Sequence, residues 1–206
     1  MKQLWLAAAG AGLACIACPA SAQRDLQIEG PWTHGPTGLV FPDRLGTAMR
    51  TRIHEYDDAG NDVSAGYAVR QGGQIAFVTL YLYPATPERS CAASFQEMEK
   101  SVVQSYGDVQ ITQSGRWPSP SGRTADVGYH ARFALTGQLD GKEQPLTSES
   151  YLFCPAGNAW LVAARASWAR DSDFSRAFAD LLHGLRWPEP LDAPAPAETP
   201  AATPAN

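Results

Sequence analysis

The chain has 206 residues, with 16 Lys and Arg against 21 Asp and Glu, and 44% of its residues are hydrophobic. The mild acidic excess speaks against a nucleic-acid binder or a binder of anionic membranes, since either needs a cationic stripe or patch. The apolar content suffices for one folded core.

In chain order, Met1-Lys2-Gln3 precedes the small and apolar run 4–14, Pro19 interrupts it, and Ala20-Ser21-Ala22 supplies an A-x-A site. This is the layout of a secretory signal, expected to be cut after Ala22. The apolar run is too short for a span of about 20 residues, so no transmembrane segment is expected in the mature chain. The expected location is periplasmic or secreted. Removing 1–22 takes away one basic residue and no acidic one, leaving the mature chain one charge unit more acidic. Cys15 and Cys18 form a Cys-x-x-Cys inside the removed part. A redox pair would need a strand–helix context, and a zinc site would need two further ligands nearby. The alternative is a lipoprotein anchored at Cys15, although neither cysteine has Leu three residues upstream.

Residues 23–36 read as an irregular lead-in, and 37–187 as a single globular domain. Extended segments are expected at 38–42, 47–56, 64–70 and 74–84. The second alternates, with Met49, Thr51 and Ile53 on one side and Arg50, Arg52 and His54 on the other. In "QIAFVTLYLYP" (74–84) both faces are apolar, which suits a central covered strand. A helix is expected next, capped by Thr86, with Pro87 in its first turn and Gly107 at its end. Cys91, Phe95, Met98, Val102 and Tyr106 form its apolar stripe. Further strands are expected at 109–117, 124–137, 146–154 and 158–168, with a turn across "GQLDGKEQP" (137–145). A last helix is expected from Asp171 or Ser172 to His183 or Gly184. Residues 188–206, rich in Pro and Ala, read as a disordered tail.

Strands, helix, strands, helix is the order of an α+β protein: a mainly antiparallel sheet with two principal helices packed on it. The strand group ending in "LYLYP", the helix, the hairpin-rich middle, "NAWLVAARASW" and the closing "LLHGLRW" together resemble the Mog1/PsbP/DcrB-type α/β/α sandwich. The resemblance covers most of 38–187 and lies in the order of elements. It implies a small binding or accessory protein more than an enzyme, and transfers no functional residue.

After cleavage two cysteines remain, Cys91 and Cys154. Outside the cytosol such a pair is expected to be a disulfide, worth ~4 kcal/mol at most for a loop of this length; the rival is two buried thiols. The four mature histidines, His34, His54, His130 and His183, stand in no metal motif, no G-x-S-x-G occurs, and no cofactor is expected. Arg50, Arg52 and His54 on one strand, with His130 and Arg132 on another, would make a cationic patch if the strands are neighbours, with Tyr56 and Tyr67 beside it. Such a patch suits a carboxylate or phosphate. The alternative is a solvated face with cross-strand pairing to Glu149 or Asp126. Trp32 and Trp117, in loop-like contexts, are candidate contact residues. The expectation is a non-catalytic envelope protein that binds a protein partner or a small anionic ligand. The alternatives are an envelope hydrolase with a site built from scattered residues, and a lipid-anchored accessory protein.

Overall fold

The computed structural model describes residues 23–155 and 159–192. The expected signal, with Cys15 and Cys18, and residues 193–206 of the expected tail lie outside the described residues. The described chain is α+β. A nine-stranded antiparallel sheet runs in the order β1-β5-β6-β7-β11-β10-β9-β8, with β4 also pairing β5. Its strands are β1 (Arg24–Leu26), β4 (Arg44–Leu45), β5 (Ala48–Glu55), β6 (Val63–Gln71), β7 (Gln74–Pro84), β8 (Gln110–Trp117), β9 (Gly128–Leu139), β10 (Lys142–Phe153) and β11 (Trp160–Ala169). A small hairpin of β2 (Trp32–Thr33) and β3 (Val40–Phe41) stands apart. The helices are α1 (Cys91–Ser105), α2 (Ser175–Gly184) and the short α3 (Glu189–Asp192).

Each face of the sheet carries one long helix, because the strands alternate apolar residues to both sides. Along β10, Tyr151 and Phe153 join a core with Phe178, Leu181 and Leu182 of α2, whereas Leu152 and Cys154 join one with Phe95 and Val102 of α1. As its all-apolar pattern requires, β7 lies inside the sheet, between β6 and β11.

Two tight turns fix the registers. Gly72 and Gly73 both have positive φ (57° and 80°) between β6 and β7, and Asp140 and Gly141 (50° and 75°) do the same between β9 and β10. Such turns match the twist of the flanking strands and favour Gly or Asp-Gly. The second shrinks the expected turn over 137–145 to two residues, because the Asp-Gly pair lets both strands run up to it.

The helix starts also differ from expectation. Glu88 has φ 67°, in the left-handed region, so a helix cannot run through it from Thr86. Ser90 is the cap instead, its hydroxyl accepting from Ala93 N at 3.2 Å. Helix α2 starts at Ser175: Ser172 first closes a turn on the Ala169 carbonyl, and the Phe174 ring packs in the core against Trp168. The lead-in is not wholly irregular, since β1 pairs with β5 and the β2–β3 hairpin lies within and beside it. The first residues of the expected tail, 188–192, are folded onto the domain. Pro188 leads into α3, where Leu191 buries itself in the α2 core and the Asp192 carboxylate accepts from Ser121 N and Oγ.

Cys91 and Cys154 are joined in a disulfide across 63 positions. It ties the first turn of α1 to the end of β10, in the position expected from the helical stripe.

Candidate functional site

Nothing in the alternation of β5 announces its irregularity. The register against β6 shifts between Arg50 and Arg52: Arg50 lies opposite Tyr67, and Arg52 opposite Gly66, leaving Thr51 as the extra residue. One extra residue reverses the facing of everything beyond it. Arg50 therefore points to the α2 side with the buried Tyr67, while Arg52 and His54 point to the α1 side. Arg50 becomes a tether. It donates to the Phe41 and Gly30 carbonyls, at 2.6 Å each, and to the Ile28 carbonyl at 3.1 Å.

The expected cationic patch does not assemble. His130 and Arg132 lie on β9, separated from β5 by β6, β7, β11 and β10, and on the α2 side. There Arg132 donates to Glu149 through Nε, at 2.8 Å, and through Nη2. The Glu149 carboxylate, 1% exposed, also accepts from the Tyr151 hydroxyl (2.9 Å) and the Ser175 hydroxyl (3.2 Å). This is the cross-strand pairing to Glu149 that the alternative reading named. It neutralises the cation and anchors the start of α2. Tyr67 is core, and Trp117 is half-buried against His130 and Tyr151. Trp32 is half-buried too, stacked on Phe41.

A different pair of arginines shares the other face. Arg52, Gly66, Thr79 and Arg165 are successive partners across β5, β6, β7 and β11. Three strand spacings put the two arginine Cα atoms roughly 14 Å apart, with small residues between them. A Cβ on Gly66 would lie 2.9 Å from Thr51 Oγ1, 3.2 Å from Arg52 Cγ and 3.5 Å from Arg52 Nε. The glycine thus lets Arg52 lie across β6 toward β7. Tyr81 stands next to this row, opposite Ser64. Burial raises its pKa, while the charges of Arg165 and Arg52 both pull it the other way, so both guanidinium groups bear on the same phenol.

Arg165 is the more unusual of the two. Its Nε donates to Ser148 Oγ at 3.2 Å and its guanidinium sits 5.3 Å over the Tyr106 ring, yet its Nη2 is buried with no hydrogen-bond partner. Directly across β10–β11, the Ser150 hydroxyl is also buried and unpartnered. Among the described residues, neither Arg52 nor Arg165 is ion-paired. Helix α1 packs over β9 and β10, and Tyr106 at its end covers the Arg165 end of the row; toward β5 the face opens, with Arg52 exposed, Phe77 38% and Met49 51% exposed. In the sequence Arg165 reads only as part of a strand. The signal for it was a lone charge inside the apolar run "LVAARASW".

Searches against family models, curated proteins and solved structures find no match to this chain.

The histidines are placed one by one. His34 is buried. Its Nε2 donates to the Gly60 carbonyl (3.0 Å), which fixes the tautomer, so Nδ1 accepts from the Thr37 hydroxyl (2.8 Å). His54 meets Asp25 at 2.7 Å and the Tyr56 ring at 4.5 Å. His130 lies between Trp117 and Tyr151, with Nε2 unpartnered and 3.8 Å from Glu149. Ser121 is hydrogen-bonded to Asp192 at 2.6 Å with no histidine between them. Among the described residues no serine is hydrogen-bonded to a histidine, and no three His, Cys, Asp or Glu side chains gather as a metal site.

Two of these histidines set a pH dependence. Burial lowers the pKa of both His34 and His130; backbone carbonyls oppose this at His34, as the Glu149 charge does at His130. Lowered folded-state values mean that the unfolded chain binds protons more readily. The stability from neutral burial is complete above the ordinary value, about 6.5, and is lost as pH falls through the folded values. Urea midpoints measured from pH 7.5 down to 5 should fall over this window, and His130→Phe should flatten the fall. An equal slope in the variant would remove His130 from the account.

Proposed function

We propose that this chain is exported to the periplasm or beyond and is a non-catalytic binding module. Its partner is a protein that presents an acidic side chain to the open half of the α1 face. The observation that carries the reading is Arg165, half-buried, with an orphaned guanidinium nitrogen and no carboxylate, set in one row with Arg52. A buried charged group without a partner is costly, and an anion docked at the neighbouring, exposed Arg52 lessens that cost. Arginine forks suit a carboxylate. The strip is a broad sheet face with exposed Met49 and Phe77, and such shapes suit a protein surface better than a small molecule, which binds in concave sites. A helix on each face of the sheet fits the α/β/α architecture that the family resemblance implies. Export is supported by the A-x-A signal and by the Cys91–Cys154 disulfide, a bond that persists in oxidising compartments.

A hexaglutamate peptide titrated at low salt into ¹⁵N-labelled protein tests the site. The Arg52 and Arg165 Nε–H signals should shift, the shifts should fade as salt rises, and Arg52→Met with Arg165→Met should abolish them. Gly66→Ala should weaken them by displacing Arg52 from its bed. Shifts confined to other surfaces, or unchanged in the double variant, would remove the strip from consideration. Mass analysis of the exported protein should give a chain starting at Gln23; a diacylglyceryl group on Cys15 would replace the unanchored reading with the lipid-anchored one.

A further inference from the structure

The two edges of the large sheet are treated differently. At one edge β5 is covered by β1 along Ile53–Glu55 and by β4 along Ala48–Met49. At the other, β8 pairs only with β9, and every residue from Gln110 to Arg116 is exposed. A strand in that position offers a row of free backbone donors and acceptors to another strand.

The usual protections are thin on β8. It contains no proline, lysine or acidic residue. Its one charge, Arg116, is folded back onto β9, 4.5 Å over the Tyr129 ring and bonded to the Asp126 carbonyl. A register irregularity at Thr112 disturbs the pairing with β9, and Gln113–Trp117 beyond it is regular. Beside this strand lies a groove of about 300 Å³ between β8 and the outer side of α1, lined by Gln96, Lys100, Val103 and Ile111 among others. Val103 is 43% and Ile111 47% exposed, and both flank the free edge.

We propose that the occupant of this edge is a second copy of the chain, joined by antiparallel pairing of β8 with its counterpart. Pairing two identical antiparallel strands creates a two-fold axis perpendicular to the sheet. That axis puts both α1 helices on the same side and turns the two grooves toward each other, so Val103 and Ile111 of both copies share one apolar seam. The charges nearest the seam are of opposite sign, Glu99 and Lys100, so the copies meet without like-charge conflict despite the acidic chain. Because the pairing uses β8 of both copies and the opposite edge offers only the short strands β1 and β4, the association closes at two copies and does not grow into a fibre.

Sedimentation velocity of the purified protein tests this. The wild type is expected to sediment as a dimer at high micromolar concentration and to dissociate on dilution. Ile111→Lys should weaken the dimer by about tenfold or more, since it places a charge in the seam. Gln71→Lys, exposed at the end of β6 and far from β8, should not weaken it. Ile111 is exposed, so thermal melting of both variants should match the wild type. In the wild-type dimer, hydrogen exchange should protect β8 amides that exchange freely in Ile111→Lys. A wild type that stays monomeric at every concentration overturns the proposal. So does a dimer that survives Ile111→Lys undiminished, or one without protection in β8.

Discussion

Arg132→Met is expected to destabilise the fold by about 3 kcal/mol, because it leaves Glu149 charged and buried without its cation. The carboxylate is 1% exposed and would keep only the Tyr151 and Ser175 hydroxyls as donors. Arg132 itself is half-exposed, so the loss belongs to the low end of the range for broken buried pairs. Glu149→Gln should cost less, since the arginine left behind still reaches water. The two changes together should cost less than their sum, and a double-mutant cycle by urea denaturation measures the difference. His130 adds a pH signature. In the native protein burial, opposed by Glu149 and aided by Arg132, keeps its pKa low. Removing Arg132 removes one of those restraints, so as pH falls the imidazolium, 3.8 Å from Glu149, should form more readily and replace part of the lost charge. The deficit of Arg132→Met should therefore shrink as pH falls from 7 to 5.5. A deficit below about 1 kcal/mol at neutral pH would place the pair among surface bridges of little weight.

The parts of this structure legible in the sequence are those controlled by local pattern. The strand runs follow a period of two, the α1 stripe follows the helical period, and Cys91 on that stripe pairs with Cys154 on the sheet beneath. Glu149 was legible as a cross-strand partner because it sits in an alternating strand. That the expected cationic patch does not assemble was not legible, for two physical reasons. A bulge moves side chains to the opposite face through a single residue, and nothing in "AMRTRIHE" distinguishes it from a regular strand. The adjacency of strands is set by the α1 crossover, which carries the chain to the far edge and brings it back through β8, β9 and β10 to β11. That path separates β5 from β9 and brings Arg165 into line with Arg52. The row is therefore a product of sheet order, which no local window contains. The helix start at Ser90 was missed because Pro87 looks like a first-turn residue, whereas the left-handed Glu88 makes Thr86–Arg89 a separate turn.

Replacing Cys91 and Cys154 together with Ala should cost about 3–4 kcal/mol, close to the chain-entropy value for so long a loop. The location of the bond argues that the effect will be uneven. Between the two cysteines the chain forms α1, crosses to the open edge as β8, and returns through β9 and β10. Only Phe95 and Val102 of α1 are fully buried, whereas α2 buries Phe178, Leu181 and Leu182 and is flanked by buried Phe174 and Leu185. With less apolar burial, α1 relies more on its covalent tie to β10. In the double variant, hydrogen exchange should accelerate more in α1 and β8 than in α2, and the urea midpoint should drop. Adding reductant to the wild type under denaturing conditions and refolding without oxidant should reproduce the lower midpoint. Equal midpoints would mean that packing alone holds α1. The consequence reaches the surfaces on both sides of this helix. Tyr106, at the α1 end, lies under the Arg165 guanidinium, and Val103 lines the groove beside β8. A bond that steadies α1 therefore steadies one wall of the arginine strip and one wall of the dimer seam. Reduction should weaken peptide shifts at Arg165 and self-association together.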